Sequence, residues 1–309
     1  MNKIETRSHR KLPNKAERHI LFGSVEPGPK TKPTKKADMA DLQNTEKDFL
    51  FDIKEVGISN VKYPVVINSS ITPTIQTSIG TFKLTAQVNR KNKGTNMSRF
   101  LEQIEQSNNG GFQVDFTSLL QFSEQLKGRL NQEDVTIEVQ YPWFFERKGP
   151  SSGSAGLNHA EATTKIEYKN KEQQSLSASL TTYVTTLCPC SKEISEYSAH
   201  SQRGKVTMEV TFTDDFHDYK VDWKEALLHA AESNASAIIY PVLKRPDEKN
   251  VTEKAYENPR FVEDIVRLVA ADLYDLPYIE KFKVTCENEE SIHLHDAIAI
   301  IEFDKTTDD

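Results

Sequence analysis

The chain has 309 residues, 28% of them charged and 37% hydrophobic, with a formal net charge of −7. That length suffices for two domains or one large one with a substantial core. No stretch approaches the roughly eighteen apolar residues of a membrane span, the start Met1-Asn2-Lys3-Ile4-Glu5 lacks the apolar core of a secretion signal, and three cysteines are too few for a disulfide scaffold, so a reducing, cytoplasmic setting is expected.

Charge is uneven. Residues 1–36 hold ten Lys and Arg against three Glu, a net of +7 that leaves −14 for the rest. A basic segment reads as a nucleic-acid arm or as a solvated leader. No aromatics are interleaved for bases to stack on, which favours the leader and no nucleic-acid partner. Pro13, Pro27, Pro29 and Pro33 stand among Lys, Gly and Thr, so residues 1–44 are predicted to be mobile, with order from about Asp48.

Phe49–Ile53 and Tyr63–Ile67 then read as strands. Phe82, Leu84, Ala86 and Val88 alternate, as a strand with one buried face does. Met97, Phe100, Leu101 and Ile104 fit one helix; Phe116, Leu119, Leu120 and Leu126 fit another. Val135, Ile137, Val139 and Tyr141 alternate again. Ser151–Gly156 reads as a flexible loop, and Thr164–Tyr168 as a further strand. Beyond residue 170 the order repeats. Leu176 to Cys188 hold one parity, and Val206, Met208, Val210 and Phe212 form the next strand. Asp222 starts a helix. Asn258-Pro259 opens another, with Val262, Ile265, Val266, Val269 and Leu273 on one face. Phe282–Cys286 and Ala297–Phe303 close the chain as strands. Each half thus reads strand–strand–helix–helix–strand–strand, which predicts an α+β fold of two modules, 45–170 and 171–309. Each module is an antiparallel sheet with two helices on one face.

Chemistry concentrates near the end of the strand that reaches Cys188. A thiolate and an imidazole are ready ligands for zinc and similar ions, and His200 follows twelve residues on. Spacing alone favours reading Cys188 as a buried structural cysteine; Cys-x-Cys with Cys190 is a weak metal signal. His293 and His295, two apart, face one side if extended and fit proton transfer, metal binding or a polar turn. Lys244-Arg245-Pro246-Asp247-Glu248-Lys249 reads as a charged loop, either solvated or clamping phosphate beside a carboxylate. Glu263 reads as an i,i+4 partner of Arg267 or as a site group. No Walker loop, GxGxxG or HExxH occurs.

Several segments together are similar to GTP cyclohydrolase I type B, of the tunnelling-fold superfamily. They are Leu187-Cys188-Pro189-Cys190-Ser191-Lys192-Glu193-Ile194-Ser195, Ala199-His200-Ser201-Gln202-Arg203, Leu243–Glu248, Glu257–Asp264 and Glu290–Ala297. Gly94–Phe100 and Asp41-Leu42-Gln43 extend the likeness over residues 22 to 303. Asn96 stands where that family has His, and Ser201 where Asn is frequent. The resemblance implies tandem tunnelling-fold modules, the second carrying most catalytic residues. It implies conversion of GTP and water to formate and 7,8-dihydroneopterin triphosphate, at the entry to folate-type pterin synthesis. It also implies a divalent metal (zinc, manganese or iron) on Cys188 and His200, with Glu248 as carboxylate partner. Glu263 is implied to hold the purine, and His293 and His295 to move protons. Lys192, Arg203, Lys244 and Arg245 are implied to meet the triphosphate, and the chain to form a homotetramer with active sites near subunit interfaces. Two other readings stand beside it. One is a tunnelling-fold nitrile reductase with Cys188 as nucleophile; the other is a metal-binding module without catalysis.

Overall fold

The structure, a computed structural model, describes residues 10–23, 28–29, 32–39, 41–43, 45–108, 111–169 and 173–307. Within the stretch expected to be mobile, Lys15–Phe22 forms helix α1. Asn14 caps it, accepting from the Glu17 N–H while the Glu17 carboxylate accepts from the Asn14 N–H, a reciprocal pairing that the sparse apolar pattern did not signal. The remainder of that expectation falls partly outside the described residues. Phe49–Ile53 is not a strand. Leu50 takes a positive φ of 73°, which breaks an extended run, and strand β1 begins at Ile53 and ends at Asn68.

The next elements are β2 (Ile75–Val88), α2 (Ser98–Ser107), β3 (Phe112–Gln113), α3 (Phe116–Leu130), β4 (Val135–Lys148), β5 (Ala155–Lys169) and β6 (Gln173–Leu187). They are followed by α4 (Pro189–Ile194), β7 (Ser201–Phe212), α5 (Trp223–Ser233), α6 (Arg245–Glu257), α7 (Val262–Asp275), β8 (Ile279–Asn288) and β9 (Ala297–Asp304). Among the described residues nine strands lie in one sheet, ordered β3-β1-β2-β4-β5-β6-β7-β8-β9. From β2 onward neighbours are antiparallel, as expected. The exception is the two-residue β3, which lies parallel to β1. The strands and helices foreseen for each half occur in the expected sequence, but β3, α4 and α6 are interposed among them. The sheet continues past the expected module boundary, because β5 and β6 pair down to Lys169 opposite Gln173. Contacts group the chain differently, residues 1–56 with 87–96 as one unit and 57–86 with 97–309 as the other.

In the larger unit, period-two burial explains the layers. Val135, Ile137, Val139, Tyr141, Trp143 and Phe145 of β4 are buried, as are Leu176, Ala178, Leu180 and Val184 of β6 and Val206, Met208, Val210 and Phe212 of β7. Helix α3 packs on β4 and β5, α5 on β6, and α7 on β8 and β9. Each buried Leu, Val or Phe contributes about 1.5–3 kcal/mol. The opposite face carries Lys, Glu, Ser and Thr, with cross-strand pairs such as Lys283–Glu302 at 3.0 Å and Lys281–Asp304 at 2.8 Å. Exposed pairs are worth about 0–1 kcal/mol each, so the apolar rows and not these charges hold the layers together.

The segment expected as a charged loop is the start of α6, with Lys244 as its N-cap. A partner far off in sequence makes it helical. Asp247 is fully buried and accepts from the N–H groups of Lys244 (2.8 Å), Ser151 (2.7 Å) and Ser152 (2.8 Å) and from the Ser152 hydroxyl (2.6 Å). It thereby ties α6 to the turn between β4 and β5, which was expected to be flexible. A Cβ on Gly149 would lie 2.8 Å from the Asp247 carboxylate, so this approach needs glycine.

These bonds, the Ser152 hydroxyl first, hold the Asp247 carboxyl well below its ordinary 3.8. A group with a depressed folded pKa stabilises fully above its unfolded value and loses that contribution as pH falls through the folded one. Asp247→Asn therefore lowers the urea midpoint at about pH 7, and its deficit against the unaltered protein shrinks from about pH 4 downward. A deficit that stays constant on acidification means that the carboxylate charge plays no part.

Candidate active site

Pro189 ends β6, because it has no N–H to continue the ladder. It begins α4 as the first helical residue, with Cys188 as N-cap. The ladder runs one step further through the cysteine itself. The last register pair is Leu187 with Ser201, and the Cys188 N–H then donates to the His200 carbonyl at 3.1 Å. Cys188 and His200 thus face each other one residue past the ends of β6 and β7, continuing a register that within a strand pair puts Cβ atoms about 4.5–5.5 Å apart on one face. Both are partly buried. The Cys188 Sγ accepts a long bond (3.5 Å) from the Ser191 N–H.

The His200 ring is held from behind. Its Nδ1 lies 2.9 Å from Gln202 Oε1 and 3.6 Å from Glu290 Oε2. Gln202 Nε2 donates to Thr186 Oγ1 at 3.1 Å and to Glu290 Oε1 at 3.5 Å. The adjacent Gly204 is required at this spot, since a Cβ there would meet Thr186 Cγ2 at 2.8 Å and Asn288 Oδ1 at 3.0 Å.

The end of β6 is fixed from its other side. β5 pairs with β6 only as far as Glu161 opposite Thr181, which leaves later backbone groups to be satisfied elsewhere. The Thr185 N–H donates to Ala237 O (2.9 Å), the Ser236 N–H to Thr185 O (3.0 Å) and the Arg260 N–H to Leu187 O (3.0 Å). The Leu187 N–H donates to the buried Ser236 Oγ at 3.1 Å. Leu187, Ala237 and Ala255 of α6 form a small separate core, with Ala199, Val251 and Tyr256 against it. The lead into α7 is therefore bonded to the residue before Cys188, and Glu263 sits in the first turn of that helix. Glu263 is exposed, and no ion pair to Arg267 is formed among the described residues.

None of the remaining predicted residues is hydrogen-bonded or ion-paired to either side chain of this pair among the described residues. Lys192 is engaged, its Nζ donating to the Tyr256 carbonyl in the last turn of α6, where helix carbonyls attract cations. Arg203 is exposed between buried Gln202 and Gly204, so strand parity turns it to the face opposite His200. Lys244 and Arg245 are exposed at the start of α6. His293 and His295 lie exposed in the connection from β8 to β9, with ring centroids 4.8 Å apart and planes 14° from parallel. Glu248 is exposed on α6. Among the described residues no three His, Cys, Asp or Glu side chains are grouped to hold a metal ion, so the chain does not bring Glu248 to Cys188 and His200. The described helices include none long and apolar enough to cross a membrane.

Residues 39–299 match the family described as type I GTP cyclohydrolase folE2. The GTP cyclohydrolase FolE2 of Oceanobacillus iheyensis is 60% identical over 299 residues, covering 97% of this chain and 99% of that protein. The chain belongs to this GTP cyclohydrolase family. The FolE2 of Bacillus subtilis is 50% identical over 303 residues, covering 97% of this chain and 98% of its own length. Among solved structures, the uricase of Arthrobacter globiformis is similar at a TM-score of 0.48 and 11% identity, over 85% of this chain and 97% of that one.

Gln202, Glu290 and Thr186 went unassigned in the sequence, although all fall within or beside the segments that carry the family likeness. Parity counted from His200 puts Gln202 on its face, and parity counted from Cys188 does the same for Thr186. Nothing local announces Glu290, whose approach depends on the β7–β8 register. All three cysteines are free thiols. Cys190 is exposed and Cys286 is buried, its thiol pushed up to about 12 by burial. A thiol reagent at neutral pH should label Cys190 first, Cys188 more slowly and Cys286 only after denaturation. Labelling of Cys286 at the rate of Cys190 would contradict the β8 packing.

Proposed function

We propose that the chain converts GTP and water to formate and 7,8-dihydroneopterin triphosphate, with the opposed pair Cys188 and His200 as the centre of its active site. That opposition is the observation that carries the reading. The donor set fits a divalent ion. A thiol and an imidazole stand on one face of adjacent strands, and Gln202 occupies His200 Nδ1 so that Nε2 is left without a partner among the described residues. Such an ion, when bound, supplies Lewis-acid chemistry. Thiolate and imidazole suit zinc, while a carboxylate such as Glu248 from a second subunit also admits manganese or iron.

The other residues bind and orient. Glu263 accepts from guanine N1–H and the 2-amino group, a bidentate, charge-assisted match. It is exposed and unpaired at a helix start bonded to Leu187, so no intramolecular partner must be displaced. Lys244 and Arg245, exposed at the start of α6, supply positive charge for the triphosphate on a chain of net charge −7; Lys192 would have to leave the Tyr256 carbonyl to join them, and Arg203, on the face opposite His200, would serve a neighbouring subunit. His293 and His295 hold and move protons during ring opening and closure. Ile194, Tyr197, Ile292 and Leu294 are 84%, 94%, 62% and 109% exposed. They sit on the segments that carry Cys188 and the His pair, and apolar exposure of that kind supports an assembly, here a homotetramer, whose interfaces border the site. Three free thiols suit a cytoplasmic location.

The test is incubation of the purified chain with GTP and each divalent metal in turn, following formate and the fluorescent pterin formed on oxidation. Cys188→Ala should lose both bound metal and turnover. Glu263→Ala should keep its metal while kcat/KM falls about 100-fold or more, since hydrogen bonds to a charged group are worth about 1.5–3 kcal/mol each. Turnover that requires NADPH and a nitrile, or a Glu263→Ala protein of full activity, rejects the proposal.

A further inference from the structure

An imidazole binds a cation through the ring nitrogen that carries no proton, so the tautomer of His200 decides which edge of its ring can serve as a ligand. The surroundings of Nδ1 settle that tautomer. Gln202 is the nearest group, and a primary amide can present either its oxygen or its nitrogen at a given place. Thr186 Oγ1, 3.1 Å from Gln202 Nε2, can donate or accept and does not discriminate. Glu290 does. An ionised carboxylate only accepts, and its Oε1 lies 3.5 Å from Gln202 Nε2. Turning the amide round would set two oxygens against each other with no proton between them. The side chain of Glu290 is only 14% exposed and Gln202 only 9%, so water is poorly placed to relieve that contact. The NH₂ group therefore faces Glu290, and the carbonyl faces His200 at 2.9 Å.

A carbonyl oxygen cannot donate, so Nδ1 must carry the proton. The second oxygen of Glu290, 3.6 Å from the same nitrogen, adds an electrostatic attraction in the same sense. We propose that Glu290 and Gln202 act together as a tautomer lock, two positioning residues that keep the proton of His200 on Nδ1 and its Nε2 lone pair free for a cation shared with Cys188. The lock exists before any ion arrives. It rests on the proposed role of His200 only for its consequence and on the hydrogen-bond pattern alone for its existence. Buried Thr186 and the missing side chain of Gly204 keep the back of the amide in register.

The experiment is proton–nitrogen correlation NMR of the metal-free protein above the imidazole titration range, with the His200 ring identified by its loss in His200→Asn. Metal affinity is read in parallel by competition with a chromogenic chelator. The unaltered protein should show the Nδ1–H form. Gln202→Leu removes the acceptor and Glu290→Gln frees the amide to turn, so both should give a mixture of tautomers and bind metal about 10–100-fold more weakly. The exchange of both groups, Gln202→Glu with Glu290→Gln, restores one acceptor toward Nδ1 and one donor behind it, and should recover the Nδ1–H form with most of the affinity. An Nε2–H form in the unaltered protein overturns the proposal whatever the variants do. So does an unchanged tautomer in both single variants. A tautomer pattern as expected in a protein that binds no divalent ion would sink the reading of Cys188 and His200 as ligands and leave the lock standing.

Discussion

One backbone hydrogen bond sets the geometry of this site, the donation from the Cys188 N–H to the His200 carbonyl. It is the last rung of the β6–β7 ladder, made just before Pro189 removes the next donor. Without it, the thiol would belong to a short helix and the imidazole to a strand, with nothing to fix their separation. With it, two side chains twelve residues apart inherit the spacing of a cross-strand pair. Precision of that kind is cheaper on a strand end than on a free loop, because the rungs behind it resist sliding.

The rung holds because β6 is gripped from both edges. On one side lies β7. On the other, where β5 has ended its pairing, Ser236, Ala237 and Arg260 take up the exposed backbone groups. This second grip also positions Glu263, since the Arg260 N–H bond to Leu187 draws the start of α7 to the residue before the cysteine. Helix α6 completes the support through the small core around Leu187, Ala237 and Ala255 and through the Lys192 amine on its last turn.

Much of this was legible in the sequence, and the exceptions have physical reasons. Alternation gave β2, β4, β6, β7 and β8, because each strand buries one face and the period is two. Helices α3, α5 and α7 carry wide apolar stripes and were seen. Helix α6 was not. Its buried residues are Asp247 and Ala255 alone, and what makes it helical is a cap bonded to Ser151 and Ser152, far off in sequence. Phe49–Ile53 has strand composition but turns at Leu50. Among site residues, Cys188 and His200 were found by type and then placed together by register. Glu248 and the two histidines were singled out by type and spacing, and Lys192 and Arg203 by likeness, yet one chain sets them on other faces and segments. Gln202 and Glu290 escaped because their role is to face a third residue, and such a relation leaves no signature in spacing.

The fork between β5 and β6 has a mechanical meaning. Beyond Glu161 and Thr181 the two strands no longer share hydrogen bonds, and Asn158 reaches instead to the Ile239 carbonyl at 2.7 Å, while Pro241 packs at the Cα of Gly156. Residues 235–242 fill the split as a wedge, bonded to Thr185 of β6 on one side and to Asn158 of β5 on the other, so the gap between these strand ends is set by an inserted segment and not by a shared ladder.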